Sequence, residues 1–261
     1  MKLALLGTLF LSDKRKDLLI LLIERPMNID EIKNTLNVTS SAMMTQIKIL
    51  IDQGIILYES DYYMLSSFGE VIVKKMIPLL NTLMVFEDNK QYWENHKVKG
   101  IPAHLLERIE KLGSCEVVEP ELNRMYELPK KFTDNLVQSK YIMEISSSFS
   151  PAYPHKYIEL AKKGVRISLI ITESVFERFE TEYFEQLRDY LGMGNTELFV
   201  CKEDIGFASS VVTDRFISLT LFYKTGMFHN HAMMSFEMNA LTWGEDMYQF
   251  FRKISQEVTG I

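Results

Sequence analysis

Apolar residues return at three- and four-residue steps through the first hundred positions, and the steps break at residues that end helices. Ser12 suits the N-cap of a helix carrying Leu18, Leu19, Leu22 and Ile23 on one face, stopped by Pro26. Asn28-Ile29-Asp30-Glu31 opens a second, short helix whose first-turn acids suit the positive end of the helix dipole. Thr39 caps a third helix running to Gln53, with Gly54 as its stop. Runs 55–58 and 62–65 then read as two short strands around a tight Glu59-Ser60-Asp61 turn. Three helices followed by a hairpin predict a winged helix-turn-helix over residues 1–66.

From 66 to 96 the pattern is one long helical stretch, with Phe68, Val71, Ile72, Met76, Leu79, Leu80 and Leu83 at helical spacing. Pro78 is expected to kink it. The stripe exceeds what one small domain buries, so residues 67–120 are expected to be a dimerisation helix and connector. Packing against the following domain is the alternative. The connector carries a short helix at 102–112, opened by Pro102 and closed by Gly113. Beyond it, strands at 141–146, 165–172, 197–201, 207–212 and 216–223 alternate with helices at 122–138, 154–163, 175–191 and 240–258. That alternation predicts an α/β regulatory domain over 121–261. The fold class expected for the whole chain is α/β (α+β overall).

Composition narrows the partners. The chain has 261 residues with a formal charge of −6, two cysteines and 47% hydrophobic residues, which fits a folded protein and excludes a disulfide scaffold. Its apolar start runs straight into the charged 12–17 segment and is far short of the about 20 residues that cross a bilayer. A cytoplasmic protein without a membrane segment is expected. The acidic balance argues against a surface that grips nucleic acid everywhere. The first 58 residues, however, carry seven basic against six acidic side chains, and the remaining 203 carry 22 against 29. The acidity therefore lies outside the predicted helix-turn-helix.

In that motif the third helix enters the major groove. Here Ala42, Met43, Ile47 and Leu50 fall on the inner face. Ser40, Ser41, Met44, Thr45 and Lys48 fall outside, with Gln46 near the edge. No acid occurs between Glu31 and Asp52, and Lys33 and Lys48 are the charges in that interval. Together with Thr39 and Tyr62 these outer residues and Lys33 are the candidate contacts to double-stranded promoter DNA. Glu59 and Asp61 at the wing tip repel phosphate, so the wing should contribute little unless Tyr62 or Tyr63 stacks on a sugar. Few basic contacts imply modest affinity and a shallow salt dependence, which two copies on a palindrome would offset.

The residues Leu36-Asn37-Val38, Gln46-Ile47-Lys48-Ile49-Leu50 and Gly54-Ile55-Ile56 resemble winged-helix regulators of the arsenic-repressor type. Metal-sensing members of that type place cysteines on the third helix; this helix has none. Further on, Trp93-x-x-His96, Ile101-Pro102-x-x-Leu105-Leu106-x-Arg108-Ile109-x-x-Leu112-Gly113, the stretch 157–172, Asp214-x-Phe216-x-Ser218-Leu219-x-Leu221-Phe222 and Ala240-Leu241-Thr242-Trp243-Gly244-Glu245 resemble archaeal winged-helix regulators of methanogens. Their second domain is named for methanogenesis regulation. The resemblance implies a cytoplasmic, homodimeric transcription regulator whose second domain receives a signal, with targets in one-carbon metabolism.

Catalytic signals are weak. A strand, a helix ending in Gly164 and a second strand are similar to half of a phospholipase-D-type domain, but that chemistry needs His-x-Lys-x4-Asp. The nearby His155-Lys156-Tyr157 has its lysine one place early and no aspartate at the required spacing. The alternatives to a regulator are thus a phospholipase-D-like enzyme with an accessory DNA domain, or a protein-interaction adaptor. Gly192-Met193-Gly194 follows a helix and reads as a loop. No catalytic residue, cofactor or metal site is expected. His229 and His231 read as surface histidines and Cys115 and Cys201 as buried thiols, with sensing roles as the alternative. For a small-molecule effector, the C-terminal ends of the sheet strands nominate Ser146, Ser147, Ser148, His155, Thr172 and Glu173.

Overall fold

A computed structural model describes residues 4–121, 127–151, 153–226 and 230–260. By internal contacts the chain divides into two units, Met1–Leu80 and Asn81–Ile261. The division falls within the segment 67–120 that the sequence set apart.

The first unit opens with α1 (Ala4–Phe10), followed by α2 (Asp13–Leu22), α3 (Ile29–Leu36) and α4 (Ser40–Asp52). The starts of α2, α3 and α4 each have a side-chain cap. Ser12 accepts from the amide of Arg15, and Thr39 from that of Ala42. Asn28 and Glu31 form a reciprocal capping box, so α3 begins at a fixed residue despite being only two turns long. Strands β1 (Ile56–Glu59) and β2 (Tyr62–Leu65) pair antiparallel, Glu59 opposite Tyr62. Ser60 and Asp61 both hold positive φ, 52° and 67°, as a two-residue hairpin turn of the I′ kind demands. Leu18, Leu19, Ile32, Met43, Ile47, Leu50, Ile55 and Ile56 are fully buried and make one core.

The long helical stretch expected over 66–96 is two helices. α5 (Ser67–Asp88) runs through Pro78, and α6 (Lys90–Asn95) follows a break at Asn89, whose φ of −127° leaves the helical region. The expected 102–112 helix is likewise interrupted. α7 (Ala103–Leu106) gives way at Arg108 to a 3-10 turn, Ile109–Leu112.

The second unit is built on an eight-stranded sheet among the described residues. Its strands are β3 (Glu116–Val118), β4 (Tyr141–Ser146), β5 (Arg166–Thr172), β6 (Thr196–Cys201), β7 (Ser209–Thr213), β8 (Ile217–Thr220), β9 (Ala232–Ser235) and β10 (Ser255–Glu257). They lie in the order β10-β6-β5-β4-β7-β8-β9-β3. β4, β5 and β6 are parallel and the other pairings antiparallel. One face is covered by α8 (Lys130–Leu136), α9 (Tyr153–Lys162), α10 (Glu173–Glu182) and α11 (Phe184–Leu191); the other packs on α12 (Met238–Lys253).

Several expected elements differ. The helix placed at 122–138 is α8 alone where the chain is described, because Leu128 precedes Pro129 and is held out of helical conformation. The helix at 175–191 is α10 plus α11. Tyr183, at φ −135°, breaks it and packs its ring 5.0 Å from that of Phe149. The final helix ends at Lys253, and residues 255–257 turn back to pair with the open edge of β6. β3, β9 and β10 were not expected. Each has only three or four residues, too few for a period-2 pattern to register.

Candidate nucleic-acid interface

α4 is positioned by packing on α2, α3 and β1. Its inner residues Met43, Ile47 and Leu50 are fully buried, with Ala42 half-buried, and Ser41, Met44, Thr45 and Lys48 are exposed. Ser40 is half-buried. The outer face is polar and small at its N-terminal end. Thr45 donates its hydroxyl back to the Ser41 carbonyl at 3.2 Å, which sets its rotamer and leaves lone pairs outward. Lys48 makes no ion pair among the described residues. Lys33 reaches the Asp30 carboxylate at 3.0 Å, an exposed pair of small worth that a phosphate can displace.

Gln46 is committed on one side. Its Oε1 accepts from Arg15 Nη1 at 2.8 Å and from the Ser12 hydroxyl at 3.4 Å. Arg15 also donates to the Thr8 and Gly7 carbonyls at 2.6 and 3.2 Å. One guanidinium thus closes the end of α1 and holds the α4 glutamine, leaving the amide NH2 as the end of Gln46 able to read a base. Sequence reasoning did not single out Arg15, because nothing in the 12–17 charge run distinguishes which cation turns inward.

The wing separates its two tyrosines. Tyr62 is exposed on β2, whereas Tyr63 is buried, donates to the Met44 sulfur at 3.5 Å and pairs its backbone with Met27. Tyr63 is therefore a post beneath α4, and the stacking role considered for it does not fit. At the tip Tyr58 donates to Asp61 at 2.9 Å, and that carboxylate raises the phenol pKa.

In the second unit the six effector candidates have separate partners. The Ser146, Ser147 and Ser148 hydroxyls donate to the carbonyls of Ser148, Phe207 and Ala208 at 2.8, 2.5 and 3.3 Å. They pin the end of β4 to the chain entering β7, at the point where strand order reverses. His155 is exposed on α9, beside Glu159 and Lys162 in a separate groove. Thr172 bonds Ser174, and Glu173 lies 3.8 Å from Lys202. A cleft of about 580 Å³ instead lies at the opposite ends of β4, β5 and β6, beside α12. Within it Tyr141 donates to Glu245 and Ser168 to Glu197, both at 2.7 Å.

Burial pushes the Cys115 thiol up to about 12, which leaves little thiolate for redox exchange. His231 contacts Tyr223 at 3.0 Å, and His229 lies outside the described residues. Among the described residues no three metal-ligating side chains converge, and no helix is long and apolar enough to cross a membrane.

Residues 125–254 match the family described as the middle domain of the methanogenesis regulatory protein FilR1. Over 253 residues the chain is 22% identical to the methanogenesis regulatory protein FilR1 of Methanothrix harundinacea (strain 6Ac). That match covers 95% of this chain and 56% of the relative, so the chain spans about half the relative's length. Among solved structures, TrmBL2, described as an archaeal chromatin protein, is similar at TM-score 0.44 and 12% identity, covering 95% of this chain and 94% of its own. The phospholipase D family member Nuc from Salmonella typhimurium is similar at TM-score 0.41 and 14% identity, covering 56% and 97%.

Proposed function

We propose that this chain, whose residues 125–254 match the FilR1 middle-domain family, is a DNA-binding transcriptional regulator. The observation that carries the reading is α4. It is an amphipathic helix with a buried inner face, and its outer face bears hydroxyls, Met44 and Lys48, with no acid before Asp52 at its C-terminal end. Ser40, Ser41 and Thr39 at its N-terminus suit phosphate contact, and Thr45, Gln46 and Lys48 suit base edges. Lys33 and Tyr62 add peripheral contacts. The second unit is the signal-receiving part and performs no reaction of its own. Two copies act together, because one protomer brings few cations to the duplex.

The test is a Thr45→Ala/Lys48→Ala double variant in a gel-shift assay on the protein's own promoter region. Both side chains are exposed, so folding should be unchanged while specific retention falls by about 2–3 kcal/mol, or 30- to 150-fold. Retention equal to the parent protein's would overturn the assignment. Footprints on the promoters of one-carbon genes would extend the reading to control of those genes.

A further inference from the structure

The segment after α6 runs back along the chain that follows β8. His96 and Tyr223 form an antiparallel bridge, Lys97 N donates to the Phe222 carbonyl, and Lys224 N donates to that of Asn95, each at 2.8 Å. Residues flanking a bridged pair project to the face opposite that pair. Lys97 and Lys224 therefore project together, away from the side on which the His96 ring stacks 4.0 Å from that of Tyr92.

These two lysines, with Lys99, rim a groove of about 610 Å³ whose floor includes Phe86, Trp93 and Val98. Phe86 meets Trp93 edge-on at 5.1 Å. The single polar atom of the Trp93 indole already donates to the Val85 carbonyl at 2.8 Å, so the ring offers the groove no hydrogen bond. A fourth lysine, Lys90, is paired with Glu94 at 3.7 Å. Lys97, Lys99 and Lys224 make no ion pair among the described residues, and all three are exposed. Three uncompensated cations thus surround an aromatic floor in a chain whose net charge is −6.

We infer that this groove binds a small organic anion, an apolar body ending in a carboxylate, phosphate or sulfonate. The volume lies within the roughly 300–1,000 Å³ of small-molecule sites. A neutral apolar molecule would leave three ammonium groups without counter-charge, and a bare phosphate backbone would leave the aromatic floor in water. An anion with an apolar body satisfies both. Binding here does not depend on the DNA-binding reading and can be measured without DNA.

The probe is 8-anilino-1-naphthalenesulfonate, titrated by fluorescence into the full-length protein. Saturable enhancement is expected, weakened at least about tenfold in a Lys97→Gln/Lys99→Gln/Lys224→Gln variant, since three charge contacts are lost. Val98→Asp, which keeps the lysines and places a negative charge on the floor, should weaken it as well. Both variants alter exposed or half-buried positions, and thermal melts would show an intact second unit. The neutral analogue N-phenyl-1-naphthylamine should bind more weakly and respond little to the lysine changes. Unchanged affinity for the sulfonate in the triple variant would overturn the inference, as would equal binding of the neutral dye. Competitive displacement of the dye by a random-sequence duplex would reassign the lysines to a phosphate backbone and overturn it too.

Discussion

Glu144 shows how one residue couples the second unit to pH. It lies on the central strand β4, is 2% exposed, and accepts the Tyr157 hydroxyl on Oε2, while Oε1 has no hydrogen-bond partner among the described residues. Burial raises its pKa from 4.5 to about 7, opposed by the hydroxyls of Tyr157 and Ser146; Tyr153 and Tyr190 are its other titratable neighbours. A carboxyl raised in the folded state binds its proton more tightly there than in the unfolded chain. Its contribution is therefore full below about pH 4.5 and is lost as pH rises through 7. Urea unfolding followed by Trp93 and Trp243 fluorescence should show the second unit losing about 2–3 kcal/mol between pH 5 and 8. Glu144→Gln should flatten that slope, and a slope that persists would assign it to another group. No residue pattern announces this carboxyl: the 141–146 run reads as a buried strand, and its one acid looks like a solvent-facing position.

At the scale of elements, the join between wing and α5 depends on close approach. Ser66 donates to the Gly54 carbonyl at 2.6 Å and accepts from the Gly69 amide at 2.9 Å, so it caps α5 while holding the end of α4. Gly69 lies in the first turn of α5, where helix propensity alone favours alanine by about 1 kcal/mol. A Cβ there would meet the Ile55 carbonyl oxygen at 2.2 Å, and a backbone atom cannot swing aside. The clash outweighs the propensity. Gly69→Ala should destabilise the winged unit by about 1–3 kcal/mol, read as a lower midpoint in far-UV circular dichroism. A stabilised variant would show that the join is looser than the geometry indicates.

At the scale of the whole molecule, α5 carries more apolar surface than its own unit buries. Val73 and Met76 are buried in the first core, whereas Phe68, Val71 and Leu79 are 51%, 63% and 50% exposed. Isolated apolar residues on a surface are ordinary, but three along one helix at steps of three and eight residues form a stripe. We propose that this stripe is the seam between two copies. Sedimentation equilibrium should then give twice the 30.4 kDa chain mass, and Val71→Asp with Leu79→Asp should give the monomer with its fold retained. A parent protein that sediments as a monomer at micromolar concentration would remove the seam, and with it the paired binding of DNA.

Local rules by themselves determined the winged unit. Caps, helical spacing and a hairpin turn act over a few residues, so Ser12, Asn28, Thr39 and the Ser60–Asp61 turn could each be placed before any contact was known. The inner and outer faces of α4 followed from the same periodicity. Tertiary contact decided the rest. Arg15 turning inward to Gln46, Tyr63 moving beneath Met44, and residues 255–257 pairing with β6 each join positions far apart in the chain. The groove of lysines exists because the residues around 97 and 224 meet across more than a hundred positions. A periodicity reports which face a residue occupies; it carries no information on which distant partner completes the environment, and that partner sets charge, burial and chemistry.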